Sequence, residues 1–336
     1  MFAATLGDMG ASADLVAEIV AGGGLTDPAW RAAFEEVPRE LFVPFFYAAT
    51  RDGDHERLWR DDPDPRRRAL WREGVYADQP LATRIRDGEL LSSSSQPSLM
   101  ARMLEYLEVR DGMDVLEIGT GPGYNAALLC HRLGEAHVTT VDLDPDITQA
   151  ARAHLTAAGY RPRVITGDGA RGCPAHAPYD RVIATCAMPN VPPAWIAQCA
   201  PGALVLAPLA TGLVALRVGE GGEARGHFTS TPAFFVPLRG GTGQGRPDPV
   251  SARGAPRQAQ RDDGFRFLLT LSGGQWEPSE AFVVWNGAGR PGRERYGVSV
   301  AGERQWAWLD DPYGPYVWPL DGTGEAAEGT ADRPGA

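Results

Sequence analysis

From Met113 onward the chain alternates short apolar runs, DVLEI, HVTTV, RVIT, DRVIAT and ALVLAPL, with stretches such as YNAALLCHRL and DITQAARAHLTAAG whose apolar positions recur at helical spacing. Runs this short and this rich in Val, Ile and Leu are what the buried strands of a mainly parallel sheet require. Strand and helix therefore alternate, and the middle of the chain is α/β. Upstream, residues 12 to 48 follow a helical period, with Leu15, Val16, Ile19 and Val20 on one face and Trp30, Phe34 and Val37 on another. Pro28 suits a first helical turn, where its missing N–H costs nothing.

Two stretches break the pattern. RDGDHERLWRDDPDPRRRALWREG, residues 51 to 74, is dense in both signs of charge and reads as a solvated excursion. Residues 240 to 264 hold too few apolar side chains to offset the entropy of ordering them, and read as a linker. Beyond it, FRFLLTL, AFVVW, YGVSV and QWAWLDDPYGPYVW predict a small β-rich domain over 265 to 320. Its tryptophans, Trp276, Trp285, Trp306, Trp308 and Trp318, suit a small core better than a peptide groove. The expected organisation is a helical segment with the charged excursion (1–75), an α/β domain (76–239), the linker (240–264), the small domain (265–320) and a disordered tail (321–336).

Composition narrows the functions available. With 32 basic against 43 acidic residues the net charge is −11, which argues against a surface built to neutralise a nucleic acid backbone. Cys130, Cys173, Cys186 and Cys199 lack metal-ligand spacing, so they read as buried thiols of a reducing compartment and no metal is expected. The first residues do not read as a signal peptide, and no apolar run approaches the roughly 20 residues a bilayer demands. The expectation is a cytoplasmic protein with no membrane partner.

LEIGTGPGYNAALL sets Gly119, Gly121 and Gly123 between a strand ending near Ile118 and a helix beginning near Tyr124. Glycines at such a corner let a ligand approach the backbone and face helix N–H groups. Alone, the pattern is also compatible with a tight turn that binds nothing. Asp142, at the end of the next strand, adds an acid placed to accept hydrogen bonds from both hydroxyls of a ribose. Nicotinamide dehydrogenases and S-adenosylmethionine methyltransferases share this layout. The loop here is G-T-G-P-G, with Glu117 two residues before it. A carboxylate there suits a ligand with a free ammonium and no phosphate, and Asp168 and Gly169 after the third strand could hold an adenine edge.

AFEEVPRELFVP (33–44), YADQPLAT (76–83), SSSSQPSLMA (92–101), VLEIGTGPGYNAALL (115–129), VTTVDLDP (138–145), TGDGA (166–170) and APYDRVIATCA (177–187) together resemble protein-L-isoaspartate (D-aspartate) O-methyltransferases, over roughly residues 13 to 238. The resemblance implies a Rossmann-like class I methyltransferase with a seven-stranded sheet and S-adenosylmethionine as cofactor. It implies a cofactor set of Glu117, Gly119, Thr120, Gly121, Gly123, Asp142, Leu143, Asp168 and Gly169. It also implies that Ser93, Ser94 and Ser95, with Gln96 and Pro97, stand where the family holds its substrate carboxylate.

The chain departs from the family in writing serine for a Thr-Ile pair at 93 and 94, in the length of the charged excursion, in the linker and in the C-terminal segment. In these it is similar to the homologues that act on ribosomally made, modified peptides. The first expectation is accordingly methylation of an aspartate in such a precursor peptide, followed by closure to an aspartimide. The alternative is a general isoaspartyl repair enzyme. A non-catalytic binding protein is a third reading, against which Glu117, Asp142 and Asp168 speak.

The chemistry asks little of side chains. An ionised carboxylate is already a nucleophile, so alignment and exclusion of water replace a general base. Leu99, Met103, Leu104 and Leu107 mark a helix starting at Pro97, which puts the serines at its N-terminus, where an anion is favoured. Ser95 could equally be the helix cap. Arg84 and Arg86 either make the local field positive or are simply solvated.

Overall fold

The computed structural model describes residues 6–50, 52–240 and 250–320. The chain opens with helices α1 (Leu6–Ala21) and α2 (Pro28–Glu36). Asp27 caps α2 by accepting from Ala29 N, with Pro28 in the first turn as expected. Four strands follow: β1 (Phe45–Ala49), β2 (His55–Trp59), then, after helix α3 (Pro65–Val75), β3 (Leu81–Arg86) and β4 (Glu89–Ser94). They form an antiparallel sheet in the order β2-β1-β3-β4.

The first segment is therefore not purely helical, and 52–74 is not a solvated excursion. Leu58 and Trp71 are buried there, Trp71 Nε1 donates to Val43 O, and Arg67 bridges Glu56 and Asp62. Most of the charges lie on outer faces, while Leu58 in β2 and Trp71 and Val75 in α3 anchor the segment from within. Such a pattern is too sparse to show as periodicity.

Helix α4 (Pro97–Tyr106) leads into the large sheet: β5 (Val115–Ile118), α5 (Tyr124–Leu133), β6 (Val138–Asp142), α6 (Pro145–Ala157), β7 (Arg163–Thr166), β8 (Tyr179–Ala184), α7 (Pro193–Ala197), β9 (Cys199–Leu209), β10 (Gly212–Val218) and β11 (Ala224–Pro232). After the interval at 241–249 come α8 (Asp263–Leu271), α9 (Pro278–Gly287), β12 (Tyr296–Ala301), β13 (Arg304–Leu309) and β14 (Val317–Pro319). Strand order is β14-β13-β12-β11-β10-β9-β8-β5-β6-β7. Pairings from β7 to β9 are parallel and those from β9 to β14 are antiparallel.

The expected mainly parallel seven-stranded sheet is thus corrected to ten mixed strands. The C-terminal segment is not a separate β-rich domain either. β12 pairs with β11, which would otherwise expose an unpaired edge. FRFLLTL and AFVVW lie in α8 and α9, and these helices share a core with the sheet that includes Leu116, Val205, Phe265, Phe267, Trp285 and Trp318. Trp285, Trp308 and Trp318 are buried and serve packing, while Trp276, tilted against Trp318, and Trp306 are half-buried. Of the proposed linker, 250–264 is folded, with Ala255 and Ala259 buried and Asp262 capping α8; residues 241–249 and the proposed tail lie outside the described residues. The opposite face of the sheet is covered by α1, α2, α4 and α5, through residues such as Ile19, Phe34, Leu104 and Leu128.

Candidate functional site

β5 is buried along its whole length, so the chain leaves the sheet at Gly119 with no room for side chains. Gly119, Gly121 and Gly123 all have positive φ, 97°, 51° and 91°. A Cβ on Gly119 would lie 2.6 Å from Thr185 Oγ1, and one on Gly121 would lie 3.3 Å from Ser93 O. The second contact shows why the loop and the serine strand need each other: the backbone of β4 rests on the glycine turn. Gly123 then starts α5.

Asp142 ends β6 beside this turn. Its Oδ2 accepts from Gly121 N at 3.1 Å and its Oδ1 from Asp144 N at 3.3 Å, with Arg239 Nη2 at 3.5 Å. Burial raises its pKa above the usual carboxylate range. Asp144, not Asp142, caps α6. Glu117 is fully buried, accepting from Asn125 Nδ2 at 2.7 Å and Thr140 Oγ1 at 2.6 Å. Loss of hydration pushes its pKa up to about 7 despite those two hydrogen bonds.

Two small cavities flank the turn. One, about 60 Å³, is lined by Ser93, Gly119, Asp142, Leu143, Gly169, Thr185 and Leu238 among others. The second, about 30 Å³, is lined by Ser93, Ser94, Ser95, Glu117, Gly119, Thr120 and Asn125 among others. The first shares Ser93, Leu238 and Arg239, and the second Ser93 and Ser95, with a groove of about 1730 Å³ bordered also by Tyr47, Leu90 and Phe234.

The residues singled out in the sequence converge here, with qualifications. Ser92 and Ser94 are buried while Ser93 and Ser95 face the groove, because a strand alternates its sides. The serines end β4 and precede α4, whose first-turn Ser98 N is occupied by Asp78 Oδ1 at 2.8 Å. Ser95 is thus not the helix cap, and this amide is not free for a substrate anion. Thr120 bonds Thr140 beneath the loop at 2.7 Å. Gly169 lines the larger of the two small cavities, but Asp168 turns aside to accept from Ala170 N. Arg84 and Arg86 pair with Asp144 and Asp146 on α6.

Sequence reasoning missed several residues that shape the site. AFFVPL, residues 233–238, forms a strap held by backbone hydrogen bonds: Ala187 N donates to Val236 O and its O accepts from Leu238 N, both at 2.8 Å, and Ala233 N donates to Thr211 O at 3.2 Å. It brings Leu238 and Arg239 over Asp142. Asn125 and Thr185 carried no signal beyond ordinary helix and strand-end positions.

This donor set fits S-adenosylmethionine on its own terms. A buried carboxylate with pKa near 7 calls for a cationic donor, and the buried Asn125 Oδ1, which has no partner among the described residues, can accept a further hydrogen bond beside it. Asp142 lies on the far side of the turn, where a ribose would be received.

The family profile for protein-L-isoaspartate(D-aspartate) O-methyltransferase (PCMT) matches residues 67–242, more than half of the 336-residue chain. The chain belongs to the protein-L-isoaspartate O-methyltransferase family. It is 34% identical over 242 residues to the protein-L-isoaspartate O-methyltransferase of Hyperthermus butylicus, covering 67% of this chain and 87% of that one. To protein-L-isoaspartate O-methyltransferase 1 of Anaeromyxobacter sp. (strain Fw109-5) it is 39% identical over 230 residues, covering 67% and 94%. A solved protein-L-isoaspartate O-methyltransferase shares its fold with a TM-score of 0.60 at 21% identity, over 92% of this chain and 98% of its own. A Plasmodium falciparum PCMT structure in complex with S-adenosyl-L-homocysteine superposes with a TM-score of 0.50 at 13% identity, covering 67% of this chain and 97% of that one. The protein is accordingly an S-adenosylmethionine-dependent carboxyl O-methyltransferase of class I α/β fold.

The first of these solved structures also corrects an expectation. The family profile ends at residue 242, so a likeness covering 92% of the chain reaches well into the C-terminal segment. That segment does not set this chain apart from an isoaspartyl methyltransferase.

Proposed function

We propose that this methyltransferase esterifies the free carboxylate of isoaspartyl residues in peptides and proteins, with Ser93 and Ser95 receiving that carboxylate. The observation that carries the reading is the contact of the serine strand with the glycine turn, Ser93 O against Gly121. An acceptor resting on the serines is thereby beside the cofactor's reactive end.

The cofactor supplies a methyl already activated on a sulfonium. The chain's task is then to hold and orient. Glu117, with Asn125 and Thr140 on its oxygens, receives the ammonium. Asp142, fixed by Gly121 N and Asp144 N, receives the ribose hydroxyls. Val236 and Leu238 of the strap line the same cavity as Asp142, where they would shield a bound nucleoside from water. No side chain needs to remove a proton, since the acceptor is ionised at neutral pH; aligned partners alone lower barriers by on the order of 7 kcal/mol or more. The ester's methoxide is a better leaving group than oxide, so the neighbouring amide nitrogen can displace it, releasing methanol and closing a succinimide.

A narrower role, on an aspartate of one modified precursor peptide, is the second reading. It is favoured by the serines at 93 and 94, which leave more room than the family's Thr-Ile pair, and is weakened by the shared C-terminal fold. The reading also expects a cytoplasmic protein; no helix among the described residues is long and apolar enough to cross a membrane. Mass spectrometry after incubation with S-adenosylmethionine tests the choice. An isoaspartyl peptide should gain one methyl while its aspartyl counterpart does not. Methylation of a constrained precursor peptide alone would favour the narrower role.

A further inference from the structure

An acidic protein that takes a carboxylate as substrate needs a positive field at the acceptor site. The arginines around the groove have partners: Arg239 faces Asp142, and Arg102 donates to Gly22 O at 3.2 Å. Arg84 and Arg86 face Asp144 and Asp146, and the first turn of α4 already binds Asp78 through Ser98 N, with Gln96 Nε2 on the other oxygen.

Directly behind the serines lies Arg39, 1% exposed. Nη1 donates to Val75 O at 2.8 Å and Ala77 O at 3.1 Å. Nη2 donates to Gln79 O at 3.1 Å, Ser95 O at 3.1 Å and, more loosely, Ser94 Oγ at 3.4 Å. Every acceptor is neutral. No carboxylate among the described residues forms an ion pair with Arg39; Asp78, Tyr76 and Tyr124 act on it only through space. Burial lowers its pKa to about 10, which leaves it charged at neutral pH. A charge buried without a counter-ion is costly and uncommon.

We propose that Arg39 is the positioning residue of the acceptor site, a buried cation whose missing counter-ion is the substrate carboxylate. This rests on the isoaspartyl reading above. Because Ser94 Oγ accepts from Arg39, its own proton is free to point away from the guanidinium, and Ser94 lines the small cavity shared with Ser93, Ser95 and Glu117. Because Arg39 holds the Ser95 carbonyl inward, that carbonyl is kept from facing an incoming anion. The guanidinium thus acts through the serines, setting which of their groups point outward and adding a positive field behind them.

The alternative is that Arg39 only ties three loops together. The two roles separate in a selectivity measurement. With S-adenosylhomocysteine-saturated enzyme, Kd is measured for an isoaspartyl peptide and for the same peptide with that carboxylate replaced by a carboxamide. The native protein should prefer the carboxylate. Arg39→Met should cut that preference about tenfold, the order expected for one charge roughly 6 Å from an anion in a partly wet site, with S-adenosylhomocysteine affinity unchanged. Arg39→Lys should retain most of it. If Arg39→Met weakens both peptides by the same factor, the residue is a structural clamp and the inference fails. Should Arg39→Met not fold, Ser94→Ala carries the test: a reduced preference supports the relay and an unchanged one overturns it. A native protein that shows no preference at all would sink the isoaspartyl reading itself, and this inference with it.

Discussion

Replacing Glu117 by glutamine removes a charge that the fold holds at considerable cost. The carboxyl is fully buried, and its pKa rises from the ordinary 4.5 to about 7. An ammonium bound beside it favours the ionised form, so binding below pH 7 must first release the proton. Affinity for S-adenosylhomocysteine, which carries the same ammonium, should therefore fall about tenfold between pH 8 and pH 6, since the ionised fraction of a group with pKa 7 drops by that factor. Glu117→Gln should bind more weakly at pH 8 and show little of this dependence.

The same shift has an opposite sign for stability. Without ligand, the folded chain holds this proton more tightly than the unfolded chain. The contribution is most favourable below pH 4.5 and is lost as pH rises toward 7, by about 3 kcal/mol in all. Glu117→Gln should consequently raise the ligand-free Tm at pH 8. Isothermal titration from pH 5.5 to 8.5, with thermal melts of both proteins, reads both effects. An affinity flat across that range, or an equally steep profile in Glu117→Gln, would refute the assignment of Glu117 as the ammonium's partner.

Three further outcomes follow from other parts of the structure. Asp142→Ala should weaken S-adenosylhomocysteine binding by about 10- to 100-fold, the worth of hydrogen bonds to a charged acceptor, measured by the same titration; an unchanged Kd would remove Asp142 from the site. Arg84→Ala with Arg86→Ala should change the acceptor KM by less than about fivefold, because both arginines are engaged in partly exposed ion pairs on α6; a larger rise would mean they reach the substrate. Deleting residues 250–336 should abolish a cooperative thermal transition, since the buried Phe265, Phe267, Leu268, Trp285 and Trp318 each contribute roughly 1.5–3 kcal/mol against a total stability of about 5–15. A truncated protein that melts like the whole chain would show the C-terminal segment to be an independent unit after all.

The cofactor side of the site was legible because its residues sit at chain positions fixed by the β–α–β geometry. Gly119, Gly121 and Gly123 follow a buried strand, and Asp142 ends the neighbouring one in register, Ile118 opposite Val141. The C-terminal half was misread: Asp263–Leu271 sets Asp263, Arg266 and Thr270 on one helical face opposite five buried apolar side chains, a period that the short run FRFLLTL taken alone conceals. A better signal stood at the start of α9, where Glu277 and Glu280 form a capping box around Pro278. The serine run does stand just before a helix start, but the first-turn amide of Ser98 is already bound there. Its helix end is capped by Asp78 from twenty residues earlier, and Arg39, fifty-five residues before Ser94, lies behind it. Neither partner has a spacing that links it to the serines; only the folded chain brings them together.

The central claim is that transfer takes place where the Gly119 turn meets the serine strand. Crystals grown with S-adenosylhomocysteine and an isoaspartyl peptide test it most directly. The account predicts the ligand's ammonium on Glu117, its ribose on Asp142, and its sulfur facing a peptide carboxylate held by Ser93 and Ser95. Density for either molecule elsewhere, or a peptide carboxylate turned away from the sulfur, would contradict it.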